Sequence, residues 1–100
     1  MSELVMDVLA ANATDAERFL KELANAKRLM ILCTLLDQEM SVAELNIKVP
    51  LSQSALSQHL ARLREAGFVE TRKEAQTVYY RLADERVRRL LPMFYEMFCA

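Results

Sequence analysis

The sequence predicts a mainly α-helical domain with one β-hairpin, in the order α-α-α-α-β-β-α. Two observations support this fold class. The 100 residues include one glycine and two prolines, so little in the chain interrupts helices. Apolar residues recur at helical spacing through most of the chain, whereas residues 77–82 alternate between two faces, as a strand does. We therefore expect a single domain, residues 1–100, in which helices surround one hairpin.

The composition indicates more apolar surface than one small chain can bury. A domain of 100 residues buries only a modest core, yet 53% of this chain is hydrophobic. We expect the surplus to lie in a subunit interface. The sequence starts without a secretory signal and contains no apolar stretch of membrane-spanning length. Its two cysteines then indicate reduced thiols, and we expect a cytoplasmic protein.

The net charge of −1 is unevenly distributed along the chain. Residues 52–82 carry five basic and three acidic side chains, whereas residues 1–51 carry five basic and eight acidic ones. Phosphate binding requires only such a local positive excess. An ordinary solvated surface would explain so small an excess equally well.

The first two helices are predicted from apolar spacing and from a capping residue. Residues 15–24 carry apolar side chains three and four positions apart, which predicts a helix, and residues 3–12 either continue it or fray. Asn25 is placed to cap a second helix. The predicted core face of this second helix consists of Leu29, Leu32, Cys33 and Leu36.

Capping signals delimit a third and a fourth helix. The segment Ser41-Val42-Ala43-Glu44 is a capping box that opens the third helix, and Pro50 ends it, because the residue before a proline avoids helical conformation. Ser52 caps the fourth helix, and Gly67 suits the left-handed conformation that stops it. The predicted inner side of the fourth helix consists of Ala55, Leu56, Leu60 and Leu63.

A β-hairpin and a last helix complete the predicted order. Residues 68–72 can pair with residues 77–82 through a turn near residues 73–76. Asp84 caps the last helix, which contains Pro92. Because proline lacks a backbone N–H and its ring clashes with the preceding turn, we expect Pro92 to kink this helix or to split it in two.

Residues 41–66 form a helix–turn–helix candidate with a proline in its turn. Once the leucines of the fourth helix are buried, mostly short hydroxyl and amide side chains remain outward. These candidate DNA-binding residues are Gln53, Ser54, Ser57, Gln58 and Arg62. They suit a helix that lies in a major groove about 12 Å wide, where glutamine can pair with adenine. A solvated polar face would have the same composition.

The hairpin that follows carries Arg72 and Lys73 near its tip, where they would contact phosphates or the minor groove. A helix–turn–helix followed by a hairpin is the order of a winged helix–turn–helix, and this is the architecture that we predict. His59, the only histidine, lies at the border of the buried face. We expect it to pack or to contact a phosphate in the DNA interface, rather than to read a base or bind a metal.

Three segments resemble the ArsR/SmtB family of bacterial repressors. They are Lys21–Arg28, Leu51–Arg64 and Gly67–Val69. The resemblance extends from about residue 15 to the end of the chain and implies a homodimer that binds a double-stranded DNA operator. It also implies that the first and last helices, about residues 3–24 and 84–99, form the dimer interface.

Metal sensing, which is frequent in that family, lacks its ligands in this chain. Ser41, Val42 and Ala43 stand where the family's thiol site needs a Cys-x-Cys, and no histidine follows Asp84 in the last helix. We therefore expect no metal site and no cofactor.

The two cysteines resemble those of the family's dithiol branch, the HlyU/BigR/SqrR-like repressors. Ile31-Leu32-Cys33 and Phe98-Cys99 match the positions of the cysteines in that branch, and residues 72–80 are close to its HlyU members. The resemblance implies that a small reactive sulfur or oxygen species, such as a persulfide, sulfide or an oxidant, is the inducer and acts through a Cys33–Cys99 bridge. Without the resemblance, Cys33 on an apolar face would be read as ordinary core.

Two other functions stay open. One is a DNA-binding regulator without redox sensing, and the other is a winged helix that binds a protein instead of DNA. An enzyme is not expected, because the sequence has no Gly-rich phosphate loop, no grouped carboxylates and histidines, and no motif that places a nucleophile beside a base.

Overall fold

A computed structural model describes residues 2–99 of the chain, and over these residues it contains five helices and three strands. The elements are α1 (Glu3–Leu23), α2 (Ala26–Thr34), β1 (Met40–Ser41), α3 (Val42–Lys48), α4 (Gln53–Glu65), β2 (Val69–Glu74), β3 (Thr77–Leu82) and α5 (Glu85–Phe98). The helices and the hairpin follow the predicted order, and the short strand β1 is an addition. The winged helix–turn–helix architecture is therefore confirmed, with α3 and α4 as the helix pair and the β2–β3 hairpin as the wing.

Helix α1 is continuous, so residues 3–12 continue the helix rather than fray. Ser2 caps it, because the side-chain oxygen accepts a hydrogen bond from the backbone N–H of Val5. Leu23 is the one buried residue among the 21 residues of α1. Most apolar side chains of α1 therefore lie against solvent in the single chain.

Helix α2 and the residues after it pack Leu29, Leu32 and Leu36 against the core as the sequence predicted, but not Cys33. Ile31, Leu32 and Leu35 are buried, whereas Cys33 is exposed. The core that α2 shares with α3 and α4 also takes Ile31 and Leu35, on the side of the predicted face that lies away from Cys33. The placement of Cys33 in the core was therefore wrong for the single chain.

The helix–turn–helix begins and ends at the predicted capping residues. The backbone N–H of Glu44 donates to Ser41 Oγ at 3.2 Å, and the Glu44 carboxylate accepts from the backbone N–H of Ser41 at 2.9 Å, which completes the capping box. Helix α3 ends before Pro50, and Ser52 caps α4 by accepting from the backbone N–H of Ala55. These local signals determine where α3 ends and where α4 begins.

The sheet contains three antiparallel strands in the order β1-β3-β2. Strands β2 and β3 form the hairpin, and its two-residue turn places Ala75 at a φ of 55°. Strand β1 pairs Ser41 with Tyr79, so the start of the helix–turn–helix is hydrogen-bonded to the wing. Because β1 is only two residues long, it has no alternating pattern by which the sequence could reveal it. Gly67, at a φ of +80°, stops α4 as predicted.

Helix α5 is a single helix that contains Pro92, so the predicted split does not occur. Val87 and Leu91 are fully buried on one side of the helix, whereas Pro92 is exposed. The buried side chains hold the helix to the core in the two turns that lead up to the proline. Among residues 2–99, no helix has the length and apolarity that crossing a bilayer requires.

One core joins the C-terminal end of α1 with α2, α3, α4, α5 and the sheet. Its buried residues are Leu23, Ile31, Leu32, Leu35, Met40, Leu45, Val49, Leu56, Leu60, Leu63, Phe68, Val69, Leu82, Val87 and Leu91. This core fixes the backbone of α4 and the base of the wing, which carry the candidate functional residues.

Candidate nucleic-acid interface and thiol cleft

The outward face of α4 consists of short polar side chains. Its exposed residues in the N-terminal half are Gln53, Ser54, Ser57 and Gln58. On the opposite face, Leu56, Leu60 and Leu63 are fully buried. The leucines therefore fix the helix from behind, and its polar face is open to solvent.

Arg62 continues this outward face and contacts another helix. Its side chain is 54% exposed, and its Nε donates a hydrogen bond to Glu22 Oε2 of α1 at 2.9 Å. The contact joins α4 to α1 across 40 residues of sequence. Sequence reasoning missed Glu22, because no local pattern indicates a partner so far along the chain.

His59 is half-buried beside two arginines. Burial lowers the pKa of His59, and the nearby charges of Arg28 and Arg62 lower it further. The imidazole is therefore neutral at physiological pH. Within residues 2–99, no group of three or more His, Cys, Asp and Glu side chains is arranged to hold a metal ion.

Arg28 is a buried arginine whose role the sequence did not reveal. Its Nε donates to the backbone carbonyl of Glu22 at 2.7 Å, and its Nη2 donates to that of Lys21 at 3.1 Å. These carbonyls belong to the last turn of α1 and have no partner within the helix. Burial lowers the pKa of Arg28, and the charge of Arg62 lowers it further. Arg28 thus fixes the junction of α1 and α2.

The two cations of the wing have different surroundings. Arg72 lies between two carboxylates: its Nε donates to Glu39 at 3.0 Å and its Nη1 donates to Glu74 at 2.9 Å. Its guanidinium also lies 4.8 Å from the centre of the Tyr79 ring. Lys73 is exposed and makes no ion pair with any residue between 2 and 99. Sequence reasoning missed Glu39, which is 33 residues from Arg72.

Cys33 and Cys99 line one cleft of about 790 Å³ between α1, α2 and α5. The rest of its lining is almost entirely apolar and consists of Leu20, Leu23, Ala24, Leu29, Met30, Thr34, Phe94, Tyr95 and Phe98. Both cysteines are exposed and make no disulfide. Although Cys33 is open to solvent, partial desolvation by the surrounding side chains raises the pKa of its thiol, and the nearby Cys99 raises it further. Cys33 is therefore a protonated thiol at neutral pH.

A second opening also reaches Cys33. This pocket, of about 530 Å³, lies between α2 and α5 and is lined by Asp37 and Lys48 as well as by apolar side chains. A reagent can therefore approach Cys33 from an apolar side or from a polar side.

A large apolar surface is exposed at the two ends of the chain. On α1 it includes Leu4, Val5, Met6, Val8, Leu9 and Leu20, and on α5 it includes Met93, Tyr95, Met97 and Phe98. Phe98 is 81% exposed. Isolated apolar side chains are common on protein surfaces, but so many on two helices of a small domain are typical of an interaction site.

The fold and the polar face of α4 define the class of this protein as a winged helix–turn–helix regulator. A family model described as "Bacterial regulatory protein, arsR family" matches residues 25–71. Relatives with more than 40% identity match a larger part of the chain. The chain belongs to the arsR family of bacterial regulatory proteins.

Two curated relatives illustrate the match. The transcriptional activator HlyU of Vibrio cholerae is 52% identical over 88 residues, which are 88% of this chain and 82% of that protein. The biofilm growth-associated repressor of Agrobacterium fabrum is 44% identical over 100 residues, which are 100% of this chain and 86% of that protein. One of these relatives is named as an activator and the other as a repressor.

Solved structures show the same fold. Reduced HlyU from Vibrio cholerae superposes with a TM-score of 0.86 at 50% identity, over 92% of this chain and 97% of that one. A homodimeric winged helix–turn–helix DNA-binding domain from Mycobacterium bovis superposes with a TM-score of 0.75 at 34% identity, over 89% of this chain and 82% of that one.

Proposed function

We propose that this protein is a homodimeric transcriptional repressor that binds operator DNA through α4 and the wing. The observation that carries the proposal is the polar face of α4, which is exposed while the leucines behind it are fully buried. In the proposed complex Gln53, Ser57 and Gln58 lie in the major groove, where amide and hydroxyl groups can contact base edges. Ser54 contacts a phosphate beside the helix N-terminus.

The positive side chains of this interface contact phosphates. Arg62 has a largely exposed guanidinium beyond its contact with Glu22, and Lys73 projects from the wing without an ion-pair partner among residues 2–99. His59 stays a half-buried, neutral ring at the edge of this interface, because burial and the charges of Arg28 and Arg62 lower its pKa. The phosphate contacts are expected to make operator affinity fall steeply as salt rises.

Dimerisation involves α1 and α5 in this proposal, over about residues 3–24 and 84–99. Its support is the exposed apolar surface at both ends of the chain, together with the homodimeric relative from Mycobacterium bovis. A dimer is also what places two copies of α4 in successive major grooves, about 34 Å apart.

The thiol cleft is the sensor in this proposal. A hydropersulfide, R–S–SH, supplies the oxidant: one cysteine thiolate attacks its terminal sulfur and releases R–SH. The second cysteine then displaces that sulfur as H2S and forms the Cys33–Cys99 disulfide. The two thiols lose two electrons, which the sulfane sulfur takes up. The support is that both thiols line one cleft although 66 positions separate them in the sequence.

The bridge would reach the DNA interface through α1. It ties α2 to α5, and Leu20 and Leu23 of α1 line the same cleft. Glu22 of α1 holds Arg62 of α4. A shift of α1 on bridging would therefore change both the dimer interface and the surroundings of Arg62. A coupling of about 1–3 kcal/mol would lower operator affinity about 5- to 150-fold.

One observation favours a regulator without a redox switch. The raised pKa of Cys33 leaves little of its thiolate at neutral pH, which slows its reaction with any electrophile. This second candidate function is a repressor with the same fold and the same DNA interface as the first, in which oxidation of the cysteines does not change operator binding.

The test uses a duplex that the wild-type protein selects from random-sequence DNA. Operator affinity is measured before and after treatment with an alkyl hydropersulfide, and the product is identified by mass spectrometry. The proposal expects a Cys33–Cys99 bridge, weaker binding, and no response in Cys33→Ser or Cys99→Ser variants.

Unchanged affinity in a bridged wild type would overturn the sensing proposal and favour the second candidate. Absence of binding to any duplex would overturn the DNA-binding proposal. Transcription in vitro from a bound promoter decides whether the bound protein represses.

A further inference from the structure

The surroundings of Arg72 distinguish it from every other cation proposed to contact DNA. Arg72 lies on the outer strand β2, where its register partner is Tyr79 of β3. Tyr79 in turn pairs with Ser41 of β1. The guanidinium of Arg72 lies over the Tyr79 ring and reaches Glu39, two residues before Ser41. One side chain thus spans the whole width of the three-stranded sheet.

Each of the three nitrogens of the Arg72 guanidinium already donates to a carboxylate. Nε and Nη2 both donate to Glu39, and Nη1 donates to Glu74. The two carboxylates carry twice the charge of the one guanidinium, so the group as a whole is negative. They also raise the pKa of Arg72, so the side chain stays charged in this position. A DNA phosphate at Arg72 would be repelled by these two carboxylates and would compete with them for the guanidinium.

The direction of the side chains separates Arg72 from Lys73. Successive residues of a strand project to opposite faces, so the two cations lie on opposite faces of β2. Lys73 makes no ion pair with any residue that the structure describes. One cation of the wing is therefore available to a phosphate, and the other is held against the protein.

We infer that Arg72 is a positioning residue for DNA binding, one that clamps the wing to the start of the helix–turn–helix, and that Lys73 makes the phosphate contact of the wing. The clamp acts through Glu39, which leads directly into β1 and the N-cap of α3. It holds the outer strand of the wing at a fixed distance from α3 and α4. The inference rests on the proposed DNA interface and assigns separate roles within it.

The test compares the salt dependence of binding to the selected duplex for a set of variants. Arg72→Gln should weaken binding about two- to fivefold at fixed salt, which is the effect expected for an exposed ion pair. It should leave unchanged the salt slope, that is, the slope of the logarithm of the affinity against the logarithm of the salt concentration. Lys73→Gln should lower the slope by about 0.9 for each phosphate that Lys73 neutralises in the wild type. Arg72→Lys should behave like Arg72→Gln, because lysine keeps the charge but lacks the planar fork that binds Glu39.

Two further variants complete the design. Glu39→Gln should reproduce the weaker binding of Arg72→Gln, and the double variant should be no weaker than either single one, because both substitutions remove the same ion pair. Arg81→Gln is the matched control, since it removes an arginine from the same sheet whose hydrogen bond joins only the two strands of the hairpin, to Glu70. It should change affinity less than Arg72→Gln does.

The inference is overturned if Arg72→Gln lowers the salt slope as Lys73→Gln does, or if Arg72→Lys retains full affinity. It is also overturned if Glu39→Gln tightens binding, since Glu39 would then compete with DNA for Arg72. Wild-type protein that binds no duplex in a salt-dependent way would instead overturn the proposed function. Circular dichroism of each variant checks that it is folded.

Discussion

Arg62 on α4 donates a hydrogen bond from Nε to Glu22 Oε2 on α1, across 2.9 Å. This hydrogen bond leaves the Nη groups of Arg62 for other partners, and the Arg62 side chain is 54% exposed. The role of this hydrogen bond differs from that of the Arg72–Glu39 contact in the wing. The Arg62–Glu22 contact is not needed to position α4, because fully buried leucines already fix the backbone of that helix. Removing the Glu22 carboxylate therefore frees a positive charge without displacing the helix.

Glu22→Gln is accordingly expected to tighten operator binding about two- to threefold at low salt, because it removes a carboxylate beside the phosphate that Arg62 contacts. Arg62→Gln should weaken binding and lower the salt slope by about 0.9 for each phosphate that Arg62 neutralises in the wild type. The measurement is fluorescence anisotropy with the selected duplex over a series of salt concentrations. Weaker binding of Glu22→Gln would contradict this account and would mean that Glu22 orients Arg62 for DNA.

The features that the sequence revealed are those encoded by neighbouring residues. The capping box of Ser41 and Glu44, and the buried stripe on α4, depend on residues three and four apart, which a single helix brings together. Glu22 with Arg62 and Glu39 with Arg72 are separated by 40 and 33 residues, and only the folded chain brings them together. Cys33 was misplaced because apolar residues lie on both sides of the predicted leucine face, and the sequence does not say that the core extends to Ile31 and Leu35 rather than to Cys33.

The reactivity of Cys33 should depend on pH in a direction set by its raised pKa. Burial is the main cause of the shift, so it persists in a Cys99→Ser variant. In that variant, the rate of iodoacetamide alkylation should rise with pH around a higher midpoint in the folded protein than in urea, because the thiolate is the reacting form. Mass spectrometry of timed samples gives both rates. Equal midpoints in the two states would contradict the expectation.

Leu9 tests the proposed dimer interface. It is exposed on α1 in the single chain, so its replacement should not disturb the core. Burying a leucine at an interface is worth about 1.5–3 kcal/mol, and Leu9→Glu should therefore raise the dimer dissociation constant at least about tenfold. Ala11→Glu, on the opposite side of the same helix, is the matched control. Sedimentation velocity over a range of concentrations would show whether the two variants differ; equal dissociation would exclude this face of α1 from the interface.

Asp84 links the stability of α5 to pH. Its carboxylate caps α5 and accepts from the backbone N–H groups of Arg86 and Val87. The hydrogen bond from the Arg86 side chain is the largest cause that lowers the pKa of Asp84 below its usual value of 3.8. The stabilisation is therefore present above about pH 4 and is lost as the pH falls below it.

Asp84→Ala should cost about 1 kcal/mol of unfolding free energy near pH 7, with a smaller difference from wild type near pH 3. Urea unfolding at both pH values measures this; a difference that is the same at both would show that the charge of Asp84 contributes nothing.

Arg28 is expected to matter for stability rather than for direct contact with DNA. It is 5% exposed, and its guanidinium satisfies the carbonyls of Lys21 and Glu22 at the end of α1. Arg28→Met keeps much of the apolar stem but leaves both carbonyls without these donors, and a buried acceptor without a partner costs about 1–3 kcal/mol. Lys27→Met, at the neighbouring position, is the control, since Lys27 donates only through its backbone to Asn25. We expect Arg28→Met to lower the unfolding free energy by at least about 1 kcal/mol and Lys27→Met to change it by less than about half of that. Because the Arg28 guanidinium donates to these carbonyls inside the protein, the salt slope of operator binding should stay at its wild-type value. A lower slope would mean that Arg28 itself reaches a phosphate.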